Sequence, residues 1–396
     1  MIAESGPFPG ALAAVRRAAT SAGPVVGATH NFYRYPARFS PGFARTAIES
    51  FSKPGDLVLD PFMGGGTAVV ESMLANRRAV GNDLNSLAVF LARIKTTALT
   101  KRDHIALTEW ITHTIPGHLF NCPLGDRSLA PCPRKTRNLG IPRARAIKKV
   151  MHLALESLSM LPSARARDFA RGILLNSGQW ALNGRRLPVS ARRFRDNIGV
   201  SGRRMLDAIK EFGESLPANC VPPLLVNGDA GRLGNALPFA NGTRADVVVT
   251  SPPYPGIHVL YHRWQVDGRK ETPAAYWLAN RHDGNGSAYY NLGDRRESDL
   301  DSYFTGLERT FRGIRSVVKD GGYLVQLVAF AKPGTQLPRF LRSLSNAGFS
   351  ELRLDDLGLA STHRRIWRDV PGRKWHAIAK GKTSSSREVV MVHRAS

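Results

Sequence analysis

The run Leu57-Val58-Leu59-Asp60, continued by Pro61-Phe62-Met63-Gly64-Gly65-Gly66-Thr67, most limits what this 396-residue chain can fold into. A short apolar strand ends in an acid and enters three consecutive glycines, whose missing Cβ permits backbone conformations and close approaches barred to other residues. Thr67 to Ala75 then reads as a helix start. Strand, tight turn and helix in that order make half of a parallel βαβ unit and set the glycine backbone beside the unpaired amides of a helix N-terminus. A ligand loop and a tight structural turn would both use such glycines. The spacing is not Gly-x-Gly-x-x-Gly and no lysine follows, which disfavours nicotinamide dinucleotides and nucleoside triphosphates.

Arg78 to Asn85 reads as a second strand, ending at Asp83, about two dozen residues past the turn, where a carboxylate can accept from ribose hydroxyls. Leu224 to Val226 leads to a third acid, Asp229, placed to meet an adenine edge if its strand lies beside the second. Both acids would otherwise be solvated strand ends. With no pyrophosphate signature, a ribosyl cofactor such as S-adenosyl-L-methionine fits better than a dinucleotide. Ala245 to Thr250 is apolar enough for a central strand covered on both faces, and it stops at Ser251-Pro252-Pro253-Tyr254. The prolines cannot donate ladder hydrogen bonds and stiffen the backbone, so nearby carbonyls are rigidly aimed. A carbonyl and the Ser251 hydroxyl can accept the two hydrogens of an exocyclic amine while Tyr254 offers a flat face to the ring. Taken alone, the same four residues also make a turn with a half-buried aromatic.

With these residues in place the chain resembles the S-adenosylmethionine-dependent amino DNA methyltransferases, most closely those that modify cytosine at N4. Asp60, Pro61, Phe62, Gly64, Gly66 and Thr67 look like the cofactor loop, Ser251, Pro252, Pro253 and Tyr254 like the catalytic tetrad, Asp83 like the ribose acid and Asp229 like the acid facing adenine. The segment with Tyr35, Pro36 and Phe39 resembles the one that closes over the methionine end of the cofactor. The resemblance covers roughly residues 30–95 and 224–355. It implies an α/β, Rossmann-like class I methyltransferase with a seven-stranded mixed sheet, base flipping, and direct methyl transfer without a covalent adduct. Ser251 points toward cytosine, since members acting on adenine more often carry Asp there. An N6-adenine enzyme, an RNA amino methyltransferase and a non-catalytic DNA-binding protein of the same fold are the alternatives.

Charge agrees with a polyanionic partner: 56 Lys and Arg stand against 31 Asp and Glu, net +25. It is concentrated between Arg134 and Arg204, where 17 basic residues face three acids. That stretch lies within residues 100–220, far longer than the dozen or so residues a crossover needs. Residues 100–220 are therefore expected to form an inserted basic, mainly helical target-recognition module for double-stranded DNA, between catalytic segments 29–99 and 221–396. Val150–Met160 and Arg203–Phe212 read as helical and 184–197 as a basic loop with Phe194 as a candidate wedge. Arg185, Arg186, Arg192, Arg193 and Arg195 are the expected phosphate and base contacts. A solvated helical insert is the plainer alternative. After the tetrad, His258, Tyr261, His262, Arg263 and Trp264 read as a loop over DNA, with Arg263 and Trp264 preferred as contacts and packing under a surface loop as the alternative.

His113, His118, Cys122 and Cys132 lack paired Cys-x-x-Cys spacing, so no metal site is expected. No 18-residue apolar run suits a membrane span, and residues 1–28 read as a loose arm with no secretory core. A cytoplasmic, nucleoid-associated enzyme is expected, and the family likeness admits a cognate restriction endonuclease as partner.

Overall fold

The protein is described by a computed structural model over residues 9–21, 27–35, 40–117, 134–255, 263–268, 270–284, 292, 300–352, 365–369 and 387–396. The apolar runs are strands: β1 (Leu57–Asp60), β2 (Arg78–Asp83), β3 (Leu224–Asn227) and β4 (Ala245–Thr250). A hairpin follows, β5 (Trp264–Val266) with β6 (Lys270–Thr272), and then β7 (Val318–Ala329), β8 (Phe349–Leu352), β9 (Ile366–Asp369) and β10 (Arg387–Ala395). The main sheet runs β3-β2-β1-β4-β7-β10-β8 and is parallel except at β10, which is antiparallel to its neighbours. This is a mixed, Rossmann-like α/β sheet. It carries an eighth strand that sequence reading did not foresee. β10 pairs through residues 392–395 with β8 and through 387–390 with β9, so those two short strands lie end to end along one edge of it.

Period-two alternation sends successive strand residues to opposite faces. Val58, Val247, Val249, Val325 and Leu327 meet α1 (Pro9–Thr20) and α2 (Pro41–Phe51) on one side. Part of the expected loose arm is thus an ordered helix. Its Val15 and Ala19 are buried against the sheet-covering layer, because the segment carries an apolar stripe at helical spacing. Behind the glycine turn comes α3 (Thr67–Leu74), and after β2 comes α4 (Ser86–Thr96).

The long insert is helical: α5 (Lys101–Glu109), prolonged by a π turn over Trp110–Thr114, then α6 (Pro142–Glu156), α7 (Ala164–Leu182) and α8 (Ala191–Ser215). Residues 191–197, expected as loop, form the first turns of α8. Phe194, Ile198, Met205, Ile209 and Phe212 recur at intervals of three, four and seven residues and are all buried, a helical pattern masked in the sequence by intervening arginines and glycines. Gly202 is required by close packing, since a Cβ there would stand 2.8 Å from Ile111 Cγ2. The insert shares one apolar core with α4, Phe32, Tyr33, Trp264 and Tyr276, and so rests directly on the catalytic body. The chain continues through α9 (Ala274–Ala279), α10 (Asp301–Arg315) and α11 (Pro333–Asn346); the last two cover the other sheet face with Leu307, Phe311 and Phe340.

Candidate active site

Strand order reverses between β1 and β4, and in open parallel sheets ligands bind beyond the carboxyl ends of strands at such a reversal. Val58 pairs with Val247 and Leu59 with Val248, so the glycine turn after Asp60 and the Ser251 tetrad leave the sheet side by side. They border one open cleft of about 820 Å³, solvent included. Its β1–β2 wall holds Tyr35, Pro61, Phe62, Gly64 and Asp83, and its β3–β4 wall holds Asp229, Ser251, Pro252 and Pro253. Residues from opposite halves of the sequence therefore meet there.

Gly64 has φ +47° and Gly66 has φ +74°. A Cβ on Gly64 would come within 3.0 Å of Tyr35 Cε1, and one on Gly66 within 3.0 Å of Ala92 Cβ in α4. The first glycine keeps the cleft wall open, while the second lets α4 pack beneath the turn. Asp83 accepts from the Gly64 amide at Oδ2 and from the Asn85 amide at Oδ1, both at 2.8 Å, and burial raises its pKa to about 6. Asp229 accepts at 2.8 Å from the Gly231 amide as the cap of a short 3-10 turn. Asn82 donates to the Pro61 and Gly228 carbonyls at 3.0 and 3.1 Å and ties the two loops together.

Three residues expected to touch a cofactor stand behind the wall instead: Asp60, Gly66 and Thr67 do not line the cleft. Asp60 is 3% exposed, and its Oδ1 accepts from Thr250 Oγ1 at 2.7 Å and from the Phe62 amide at 3.2 Å. It pins the end of β1 to the end of β4. Burial, aided by nearby Asp83, raises its pKa to about 7 against those two hydrogen bonds. Pro36 and Phe39 lie outside the described residues, as do His258, Tyr261, His262, His118, Cys122 and Cys132.

The tetrad forms a hydrogen-bonded line. Ser251 Oγ lies 3.1 Å from the Leu327 carbonyl of β7 and 2.9 Å from the Tyr254 hydroxyl, which donates to Glu388 Oε1 of β10 at 2.8 Å. Arg368 of β9 donates to Glu388 Oε2 through Nε and Nη2, at 2.9 and 2.6 Å. Both members of that pair are buried. Tyr254 is itself 9% exposed among apolar neighbours, so the open ring face expected of it is largely covered and its hydroxyl is engaged. The Tyr303 hydroxyl donates to the Pro253 carbonyl at 2.6 Å and fixes the proline turn. Sequence reading missed Tyr303, Arg368 and Glu388, and also Lys95, a buried amine that donates to the Gly65 carbonyl at 2.6 Å. No local motif marks any of them; each is brought in by another element.

Several expected nucleic-acid contacts are also relocated. Trp264 is 1% exposed; its Nε1 donates to the Tyr33 hydroxyl at 2.8 Å and its ring fills the space that Gly178 leaves. It is a core residue, as is Phe194 at 0%. Arg263 is held by Asp283 at 3.1 Å and Glu271 at 3.6 Å. Arg185 donates to the Trp180 carbonyl at 2.8 Å and lies over that indole, 5.2 Å from its centroid. Arg186, Arg192 and Arg193 are exposed and Arg195 is half-buried. Arg143, Arg185 and Arg193 border one open groove between the N-terminal ends of α6 and α8. Among the described residues no cluster of His, Cys, Asp and Glu suits a metal, and no helix is long and apolar enough to cross a membrane.

Residues 19–92 match the family model described as DNA methylase. The chain is similar to amino DNA methyltransferases. The matched segment includes β1, the glycine turn and β2, the first wall of the cleft. The type II methyltransferase M.MvaI of Kocuria varians is 38% identical over 74 residues, which are 18% of this chain and 16% of that protein. The orphan methyltransferase M.BamHII of Bacillus amyloliquefaciens is 40% identical over 53 residues, 13% of this chain and 20% of its own. The chain thus matches a fifth or less of the length of these relatives. Among solved structures, TrmN from Thermus thermophilus aligns with a TM-score of 0.36 at 12% identity, over 93% of this chain and 52% of that one.

Proposed function

We propose that this protein transfers a methyl group from S-adenosyl-L-methionine to the exocyclic N4 amino group of cytosine in double-stranded DNA. The observation that carries the reading is that Gly64 and Asp83 share one cleft with Asp229 and Ser251 to Pro253. Such a cleft joins a cofactor wall to an amine-binding wall. S-adenosyl-L-methionine fits the donor set: Gly64 leaves a cradle that a Cβ would fill, and Asp83 and Asp229 offer carboxylates for ribose hydroxyls and an adenine amine. When bound it supplies an electrophilic methyl on sulfur.

The chain's own residues do the rest by orientation. A cytosine amine is a poor nucleophile because its lone pair is delocalised into the ring. Ser251 Oγ and the Pro252 carbonyl draw its hydrogens out of the ring plane, which localises the pair and aims it in line with the methyl group. Tyr303, by holding the Pro253 carbonyl, keeps the proline turn rigid for that task. The base reaches the cleft by leaving the helix stack.

Residues 100–220 serve in this reading as the target-recognition module, with Arg186, Arg192, Arg193 and Arg195 meeting phosphates. The exposed arginines and the groove between two helix N-termini support it, because amide dipoles and guanidinium groups both favour anions. A cytoplasmic, nucleoid-associated enzyme, alone or beside a restriction endonuclease, accords with net +25. The test is incubation with labelled S-adenosyl-L-methionine and unmodified duplex DNA of pooled sequence, followed by digestion to nucleosides. N4-methylcytosine is expected; N6-methyladenine would reassign the base, label on RNA alone would reassign the substrate, and no transfer despite cofactor binding would reject the enzyme.

A further inference from the structure

Three oxygen–oxygen contacts run from the Leu327 carbonyl through Ser251 and Tyr254 to the Glu388 carboxylate, at 3.1, 2.9 and 2.8 Å. The two ends, a carbonyl and an ionised carboxylate, only accept, and each hydroxyl carries a single hydrogen. Two hydrogens therefore serve three contacts. Tyr254 commits its hydrogen to Glu388, the charged end, and Ser251 can then give its own to Tyr254. The contact between Ser251 Oγ and the Leu327 carbonyl is left without a hydrogen, and two oxygens face each other there. The line has room for one more proton, and its open end lies at Ser251, the member that borders the cleft.

Resting on the methyl-transfer reading above, we propose that Ser251, Tyr254 and Glu388 form a relay that takes up the proton released by the methylated amine, with Glu388 as its terminus. The amine nitrogen uses its lone pair to form the bond to the methyl carbon, and the carbon–sulfur bond of the sulfonium donor breaks with its electron pair kept by sulfur. The nitrogen is then cationic and its N–H strongly acidic, because loss of the proton returns the pair to conjugation with the ring. That proton passes to Ser251 Oγ while the Ser251 proton moves to Tyr254 and the Tyr254 proton to Glu388 Oε1. All three contacts then hold a hydrogen, the product amine is neutral and Glu388 is a neutral acid. The proton later leaves for solvent through the open cleft.

Before transfer the same line acts electrostatically. The carboxylate polarises the Tyr254 hydroxyl, which polarises Ser251 and makes Oγ a stronger acceptor for the amine hydrogen. Arg368, the cross-strand partner of Glu388, occupies Oε2 with two donors and leaves Oε1 aimed at Tyr254. Its guanidinium lies over the Phe43 ring of α2, 5.9 Å from the centroid, and the β7 residue opposite Glu388 is apolar Ala329. Arg368 and Tyr254 are thus the polar groups these elements turn toward Glu388 among the described residues. Glu388 and Arg368 touch no substrate in this scheme and act through Tyr254 as positioning residues.

The test compares wild type with Glu388→Gln and Tyr254→Phe, each keeping the shape of its side chain. Single-turnover transfer is followed with excess enzyme, saturating S-adenosyl-L-methionine and pooled-sequence unmodified duplex DNA, in water and in deuterium oxide. Both variants should retain cofactor affinity by calorimetry and lose about 10²-fold in rate. The wild-type rate should fall in deuterium oxide, because several protons move together along the line, and both variants should lack that isotope effect. If Glu388→Gln fails to fold around an unpaired Arg368, Tyr254→Phe decides alone. Variants with the wild-type rate, or slower variants with the wild-type isotope effect intact, overturn the relay while leaving the methyl-transfer reading standing. A wild type that binds the cofactor yet methylates no base amine overturns both.

Discussion

Asp60→Asn separates a scaffold role from a cofactor role. The Thr250 hydroxyl and the Phe62 amide both donate to Oδ1, so an asparagine that keeps its carbonyl oxygen there keeps both bonds and loses only the ionisation. Asp60 is held with its pKa at about 7, from an ordinary 3.8, chiefly by burial. In the unfolded chain it ionises near pH 4, whereas the folded protein keeps the proton to about pH 7. The folded state thus binds more protons across that window, and stability present below pH 4 is lost as pH rises through 7. At 1.36 kcal/mol per unit the loss is at most about 4 kcal/mol. Asp83, raised to about 6 by burial, contributes a loss of the same sign between pH 4 and 6 in both proteins. The stability gap between Asp60→Asn and wild type should therefore widen in favour of the variant from pH 4 to 7 and then level off. Urea unfolding at pH 4.5, 6 and 8 measures it, with cofactor affinity expected to stay unchanged by calorimetry. Parallel profiles would refute the assignment of a protonated Asp60, and lost cofactor affinity would return Asp60 to the cleft wall.

Gly64→Val should abolish binding of S-adenosyl-L-methionine with folding retained, because its side chain meets Tyr35 at a backbone angle of φ +47°; calorimetric titration checks it. Trp264→Ala should cost about 3–5 kcal/mol in denaturant unfolding while DNA affinity at permissive temperature is kept. The reverse result would restore Trp264 as a contact. Arg186, Arg192 and Arg193 changed together to alanine should weaken binding to all duplexes alike and lower the salt slope by roughly 0.9 for each phosphate no longer neutralised, measured over a salt series. Unchanged affinity and slope would leave the insert as a solvated helical layer.

Local sterics along the chain suffice for the sheet's parallel half, because short apolar runs closed by polar, glycine or proline residues dictate strand and turn without help from distant segments. Most of the cleft was legible in the same way: Pro61, Phe62, Gly64, Asp83, Asp229, Ser251, Pro252 and Pro253 sit in segments whose neighbours declare them. Burial, by contrast, is a property of what another segment covers. Trp264 carries no local sign that Tyr33 and Gly178 will enclose it, nor Phe194 that its helix will turn it into the core, and in an arginine-rich stretch they read as contacts. Asp60 looks like its neighbours in the turn, and only the approach of Thr250 draws it behind the wall. Glu388 and Arg368 are the extreme case. Antiparallel pairing of β10 with β9 sets them opposite each other, and pairing of β10 with β7, itself beside β4, carries the pair to Tyr254. Register between strands far apart in the sequence decides that meeting, since a shift of one residue would send Glu388 to the other face of the sheet.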